Sequence, residues 1–442
     1  MKTNFSNTTT LVSALILALL APIASAESLI IRNARIFDGE SEQLSAPSDI
    51  YIEDGLIKNI TNVSTTSQDI ETVDVGGRVL MPGMINAHAH VMLQLNVLES
   101  LTSDAYYYAY TATLAAKSLL DNGFTTVRDM SGNTFSLKKA IDRGLIPGPR
   151  IFPSGAMISQ TSGHSDHRTA EAEPRLLDSN SRSNLERMGM TIVADGRPEV
   201  LQAVRENLRR GATQIKIAVG GGISSYGDPL DVTQYTEEEI LAAVEAANNW
   251  GTYVAAHVYN SEGIRRAVEM GVKSIEHANL VDLETLKYMQ DQAVWLSPQV
   301  MIFEQELKGM NADQVAKQQL ALEGVNQLMT NAAKLDYRNI VFGEDMVTSL
   351  EGLNLINQEL VRRAQWFTPI QILRQVTSRA GELCMLSGPR NPYGTIGVIK
   401  EGAIADILVV EGNPLQDISV LANPTDNIRV IMKGGELYKN TL

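Results

Sequence analysis

The feature that most constrains this chain is a repeated alternation of short apolar runs with amphipathic stretches through its middle. Segments 84–88, 125–129, 150–154, 214–219, 253–258, 274–278, 294–298 and 339–343 have strand length and character. Between most of them lie stretches of helical apolar periodicity, among them 199–210, 237–249, 261–270 and 283–290. Eight such units in series predict an α/β chain that closes into a parallel (β/α)8 TIM-type barrel rather than an open sheet. Residues 160–196 interrupt the series after the third strand as a long polar insertion. Long loops at that face of a barrel commonly carry function.

The flanks read differently. Leu29-Ile30-Ile31 and Asp49-Ile50-Tyr51-Ile52 are strand-like, with Glu53-Asp54-Gly55 as a turn. Ile407-Leu408-Val409-Val410 and Ile428-Arg429-Val430-Ile431, with Lys433-Gly434-Gly435, repeat the pattern near the other end. These flanks predict one small β-sandwich domain from 27–80 plus 394–442, with 81–393 as the barrel. Residues 1–26 read as a secretory signal peptide. Lys2 precedes an apolar run from Leu11 to Ala21, and Ala24-Ser25-Ala26 is a small-residue cleavage pattern. The run falls short of the roughly 20 residues of a membrane span. The expected location is secreted or periplasmic, with no membrane association after cleavage near Glu27.

Asp and Glu number 51 against 37 Lys and Arg, a net charge of −14 with no basic run, which argues against nucleic acid as a partner. The single cysteine, Cys384, excludes an internal disulfide and a cysteine-cluster metal site, and its surroundings read as a buried helix.

Only six histidines are present: His88, His90, His164, His167, His257 and His277. Four of them fall on or at the end of a predicted strand. His88 and His90, two apart after Met84-Ile85-Asn86-Ala87, share one strand face. His257 ends Tyr253-Val254-Ala255-Ala256, and His277 follows Ser274-Ile275-Glu276. C-terminal strand ends of a barrel converge on one mouth, and four imidazoles there suit Zn²⁺ or a similar divalent ion. Lys216 sits inside the apolar strand Ile215-Lys216-Ile217-Ala218-Val219, a costly place for an ammonium unless it is neutralised or paired. Asp345 follows the eighth predicted strand.

Together, Asn86-Ala87-His88-Ala89-His90, the strand-four lysine, two single strand-end histidines and the strand-eight aspartate resemble the amidohydrolase superfamily, in its binuclear-metal branch. The resemblance covers nearly all of the chain after the signal peptide. It implies that His88, His90 and Asp345 hold one metal, that His257 and His277 hold the other, and that an N-carboxylated Lys216 bridges them. Carboxylation would turn a costly buried lysine into an anionic oxygen ligand. Zinc is the default by ligand type, although Co²⁺ and Mn²⁺ bind comparable sites. Relatives commonly carry a small residue where this chain has Glu344, and strand alternation predicts that Glu344 points away from the axis.

Two such ions would bind a bridging hydroxide at neutral pH. Asp345 would take its proton and pass it to the leaving nitrogen. Thr161-Ser162-Gly163-His164-Ser165-Asp166-His167, Gly220-Gly221-Gly222-Ile223-Ser224-Ser225 with Asp228-Pro229, and Val258-Tyr259 look most similar to secreted Xaa-Pro dipeptidases, Xaa-Arg/Lys carboxypeptidases and ochratoxinase-like amidases. That likeness implies a substrate that is a dipeptide or N-acyl amino acid with a free carboxylate. It implies that His164 polarises the scissile carbonyl and that Tyr259 grips the carboxylate. His167 reads as a solvated loop residue, Arg128 as one half of a structural ion pair, and the triple glycine as a close backbone approach to the site. The alternatives are an imidazolonepropionase-like cyclic-amide hydrolase, or a non-catalytic periplasmic metal- or peptide-binding protein. Barrel enzymes of this kind often assemble as homo-oligomers.

Overall fold

The computed structural model describes residues 28–62, 70–305 and 309–442. Residues 1–26, read from the sequence as a signal peptide, lie outside the described residues. Strands Ser28–Ile36 (β1), Ser48–Glu53 (β2), Leu56–Thr61 (β3), Glu71–Asp74 (β4) and Val79–Pro82 (β5) open the fold. Then come Met84–Ala89 (β6), Phe124–Asp129 (β7), Arg150–Pro153 (β8), Met157–Ser159 (β9) and Thr191–Val193 (β10). Ile215–Ala218 (β11), Val254–Asn260 (β12), Ser274–Leu280 (β13) and Trp295–Ser297 (β14) follow, with long helices among them. Ile407–Val410 (β15), Ile428–Lys433 (β16) and Glu436–Asn440 (β17) close the chain.

Both ends meet in one eight-stranded sheet, ordered β17-β16-β15-β5-β1-β2-β3, with β4 beside β1. Its alternating inward residues, including Ile31, Ile50, Ile57, Leu80, Val409 and Val430, form a core of their own. The antiparallel pairing of β5 with β15 sets Pro82 opposite Ile407, which fixes where β6 begins.

The middle of the chain is an α/β array of parallel strands in two sheets, β6-β7-β8 and β10-β9-β11-β12-β13-β14. β6, β7, β11 and β14 are buried along their whole length, as expected of parallel strands covered on both faces. The predicted strand 339–343 is not a strand but an extended segment with one isolated bridge, Leu296 to Ile340. Its hydrogen bonds are shared among several neighbours. Leu296 N donates to Asn339 O at 2.8 Å and Val341 N to Leu296 O at 3.0 Å on one side. Ala87 N donates to Phe342 O at 2.8 Å and Asp345 N to His88 O at 3.0 Å on the other. Phe342 N turns instead to Gln375 O, and Arg363 Nη1 takes Val341 O, so no ladder continues. The insertion 160–196 is not uniformly loop, because it ends in a short helix, Asn184–Arg187, and β10. Cys384 is buried in the helix Ser378–Met385, packed against Ile85, Phe152 and Trp295.

Candidate metal centre and active site

The ends of β6, β11, β12 and β13 and the segment after 343 meet at one cavity, with a void of about 1480 Å³ including its open mouth. His88, His90, Lys216, His257, His277 and Asp345 all line it. His88 Nε2 lies 3.3 Å and His90 Nε2 3.0 Å from Asp345 Oδ1, and His277 Nδ1 lies 3.8 Å from Asp345 Oδ2. One donor atom each from His88, His90 and Asp345 fall within 4.8 Å of one another. The other two imidazoles adjoin them, with His277 centred 5.0 Å from His88 and His257 4.6 Å from His277. His277 and Asp345 have φ of 72° and 56°, unusual for residues other than glycine. That backbone departs from strand alternation and lets both side chains turn into the cavity.

Each of three rings has one nitrogen already committed. His88 Nδ1 donates to Glu276 Oε2 at 2.8 Å, His277 Nδ1 to Gln299 Oε1 at 2.7 Å, and His257 Nε2 to the Gly221 carbonyl at 3.0 Å. A carboxylate, an amide oxygen and a carbonyl only accept, so the lone pairs of His88 Nε2, His277 Nε2 and His257 Nδ1 remain free. Burial pushes all three imidazoles well below their ordinary pKa, which keeps those lone pairs unprotonated. His90 Nδ1 is buried without a partner among the described residues.

Lys216 Nζ is also buried and has no hydrogen-bond partner among the described residues. Burial pulls its ammonium down to about 8, against the opposing pull of Glu276 and Asp345. An orphaned amine with a lowered pKa, in the same cavity as the free imidazole nitrogens, fits carboxylation and metal ligation.

Beneath the ligands lies a salt bridge that sequence reading only half identified. Arg128 donates to both carboxylate oxygens of Glu276, at 2.7 and 2.8 Å, and Arg128 Nε holds Ala87 O at 2.5 Å. Arg128 and Glu276 are fully buried. Burial drives the Glu276 carboxyl up, but Arg128 and Lys216 outweigh it and leave the group below its ordinary pKa. Glu276 thereby stays an anionic acceptor for His88. Glu344 instead receives Asn86 Nδ2 at 2.7 Å and the Met346 amide, and burial raises it to about 8. Both its oxygens accept from N–H groups, and it is turned from the imidazole cluster towards its own neighbours.

His164 lies face to face on His257, with centroids 4.0 Å apart. Its Nδ1 is 2.8 Å from Ser225 Oγ, which donates to Asp228. Burial raises the Asp228 carboxyl to about 6, against the pull of Ser225 and Lys317. Tyr259 stacks on His277, centroids 5.2 Å apart, and its buried phenol is held neutral, well above 10. Its hydroxyl has no hydrogen bond to any described residue. His167 is half-buried in its loop and lines the cavity. Asp166 ties that loop together by accepting from Ser162 N at 3.0 Å and from Arg168, and burial pushes the His167 imidazole down to about 4. Glu276, Gln299, Ser225 and Asp228 were not singled out from the sequence as supports of these rings. Only the position of Glu276 beside His277 and of Asp228 after the glycines could have drawn notice. The rest of the cavity wall is mostly apolar, including Leu93, Leu101, Met157, Ile223, Phe303 and Met310.

The amidohydrolase family model matches residues 79–437. An ochratoxinase from Aspergillus niger is 31% identical over 382 residues, covering 82% of this chain and 76% of that protein. The crystal structure of a prolidase complexed with N-methylphosphonate-L-proline superposes with a TM-score of 0.85 at 33% identity, covering 93% of this chain and 100% of that one. A Xaa-Pro dipeptidase structure with methionine bound in its active site gives 0.81 at 28% identity, with 93% and 100% covered. With these relatives, and with the imidazole cluster at the strand ends, the chain belongs to the amidohydrolase family and is a hydrolase of amide bonds.

Proposed function

We propose that the protein is a secreted or periplasmic, metal-dependent hydrolase of dipeptides or N-acyl amino acids that carry a free C-terminal carboxylate. The observation that carries the reading is one cavity holding the imidazole–aspartate cluster, a lysine amine without a partner among the described residues, His164 and Tyr259. The prolidase, dipeptidase and ochratoxinase relatives support it, and the sequence of residues 1–26 supports export. The hydrogen bonds of segment 339–345 to both β14 and β6 support closure of the two parallel sheets into a (β/α)8 barrel. The terminal sheet would stand as a separate small domain.

His88, His90 and Asp345 would hold one divalent ion, His257 and His277 the other, and N-carboxylated Lys216 both. When bound, the ions, zinc by ligand type, supply Lewis acidity and a water that ionises near neutral pH. Asp345 accepts the proton of the attacking water and returns it to the leaving nitrogen. His164 would stand beside the scissile carbonyl and polarise it. Tyr259, kept neutral by burial, donates its O–H to the substrate carboxylate. The apolar wall excludes bulk water and receives the acyl side.

The test is a turnover screen of the zinc- and bicarbonate-loaded protein, recovered from the periplasm with its N terminus near residue 27. Dipeptides, N-acyl amino acids, ochratoxin A and small lactams would be followed by mass spectrometry. Release of a C-terminal amino acid is expected, and ring opening alone would instead indicate a cyclic-amide hydrolase. Asp345 is the one carboxylate among the described residues lining the cavity. A lysine or arginine side chain would be desolvated there without a counter-charge. Apolar substrates are therefore expected to exceed Xaa-Arg and Xaa-Lys dipeptides by about tenfold or more in kcat/KM.

Carboxylation has its own readout. Metal-loaded protein given ¹³C-bicarbonate is expected to show a carbamate carbon resonance that is lost in Lys216→Ala. A spectrum without that resonance in the wild-type protein would remove Lys216 as a bridging ligand.

A further inference from the structure

Away from the imidazoles, the cavity wall is assembled from pieces that are far apart in the chain, among them the helices Val97–Thr102, Asn184–Arg187 and Met301–Glu304. Polar side chains tie these pieces together. Asn184 Nδ2 donates to Ser100 O at 2.8 Å and to Ser103 O at 3.1 Å. From the helix Ala312–Lys334, Gln314 Nε2 donates to Ser224 O and Gln318 Nε2 to Gln305 O, each at 2.7 Å. The Tyr108 hydroxyl gives its proton to Ser100 O at 2.8 Å, Ser100 Oγ to Val97 O at 2.7 Å and Ser131 Oγ to Met190 O at 2.7 Å. Ser100, Tyr108, Ser131, Gln314 and Gln318 all line the cavity. Their hydrogen bonds are committed to backbone carbonyls, so they hold the wall together more than they offer it to a ligand.

The wall between them is apolar. Leu95, Met157, Leu185, Ile302 and Phe303 line the cavity and are buried. Leu101 and Tyr226 line it as well, yet they are 41% and 51% exposed, so the apolar surface runs from the buried end out to solvent. Leu98, three residues before Leu101 on the same helix and 71% exposed, prolongs that strip. Charge is scarce along it. Asp345 is the one carboxylate among the described residues of the lining, and it stands 3.0 Å from His90 Nε2. An α-ammonium beside the scissile carbonyl would be desolvated with no other counter-charge from the described residues of the lining.

We propose that the acyl side of the substrate is an extended, uncharged hydrocarbon chain, so that the enzyme takes N-acyl amino acids with medium or long acyl chains in preference to free dipeptides. The chain lies along the buried apolar wall and leaves past Leu101 and Tyr226. A compact side chain would end inside and leave that strip wet. Water adds across the amide C–N bond, and the products are the chain's carboxylic acid and the free amino acid. The proposal rests on the reading given above, that the substrate is an amide of an amino acid with a free carboxylate, and narrows it.

The test uses the zinc-loaded protein and phenylalanine or proline carrying an acetyl, butanoyl, octanoyl or decanoyl group. From acetyl to octanoyl, kcat/KM is expected to rise about hundredfold or more, the scale of burying several methylenes. Leucyl-phenylalanine and N-(4-methylpentanoyl)phenylalanine differ only in the ammonium, and the second is expected to be hydrolysed better by about tenfold or more. Leu101→Asp, at an exposed position that the core does not depend on, should lower kcat/KM about tenfold more for the decanoyl than for the acetyl compound. A flat or falling chain-length profile would overturn the proposal. So would a preference for leucyl-phenylalanine, or an equal loss on both chains in Leu101→Asp. If no member of the series is hydrolysed, the reading of the reaction fails, and calorimetric titration of the same compounds still decides the subsite. A Kd that falls about hundredfold from acetyl to octanoyl upholds it, and a Kd independent of chain length overturns it.

Discussion

Replacing Asp345 by Asn is expected to lower kcat by about 10³-fold or more, the scale on which enzymes lose a group that both ligates metal and moves the proton. Its carboxylate stands 3.0 and 3.3 Å from the His90 and His88 Nε2 atoms. The backbone holds it there at φ 56°, with its amide bound to the His88 carbonyl. No described carboxylate lining the cavity could substitute for it. Steady-state kinetics combined with metal analysis separates its two roles. A variant that keeps its metal and loses turnover identifies the proton carrier, and one that loses metal identifies the ligand. Turnover within about tenfold of wild type would remove Asp345 from both roles.

Arg128→Met is expected to cost about 3–5 kcal/mol of stability, because it strands Glu276 as an unpaired buried anion. Both groups are fully buried, and Arg128 makes two charge-assisted hydrogen bonds to that carboxylate. Adding Glu276→Leu should recover most of the loss, since an apolar pair of similar volume needs no counter-charge. Activity should not return with stability, because His88 Nδ1 loses the acceptor that orients it, 2.8 Å away. Chemical denaturation of the single and double variants, with turnover measured alongside, checks both halves. A single-variant cost below about 1 kcal/mol would show that the pair contributes little.

Much of the array was legible because it depends on local periodicity. Seven of the eight predicted parallel segments are strands, namely β6, β7, β8, β11, β12, β13 and β14. The eighth failed as a strand for a reason no local pattern carries: its carbonyls and amides are divided among β14, β6, Gln375 and Arg363. His167, in a polar loop that suggested solvent, is half-buried and lines the cavity. Asp166 ties that loop together by accepting from Ser162 N and Arg168.

What the sequence determined by itself is the set of chemical groups, His88, His90, Lys216, His257, His277 and Asp345, with the four histidines on or just after strands. Strand spacing and side-chain alternation act over a few residues, so they can be read from a few residues. What only the tertiary structure decided is which group stands behind each of these. Arg128 meets Glu276 across 148 residues, Asn86 meets Glu344 across 258, and Ser225 meets His164 across 61. Those partners set which imidazole nitrogen is free and which buried acid stays charged. They depend on the register between distant strands and on the close approach allowed at Gly222, neither of which any short stretch of the chain encodes.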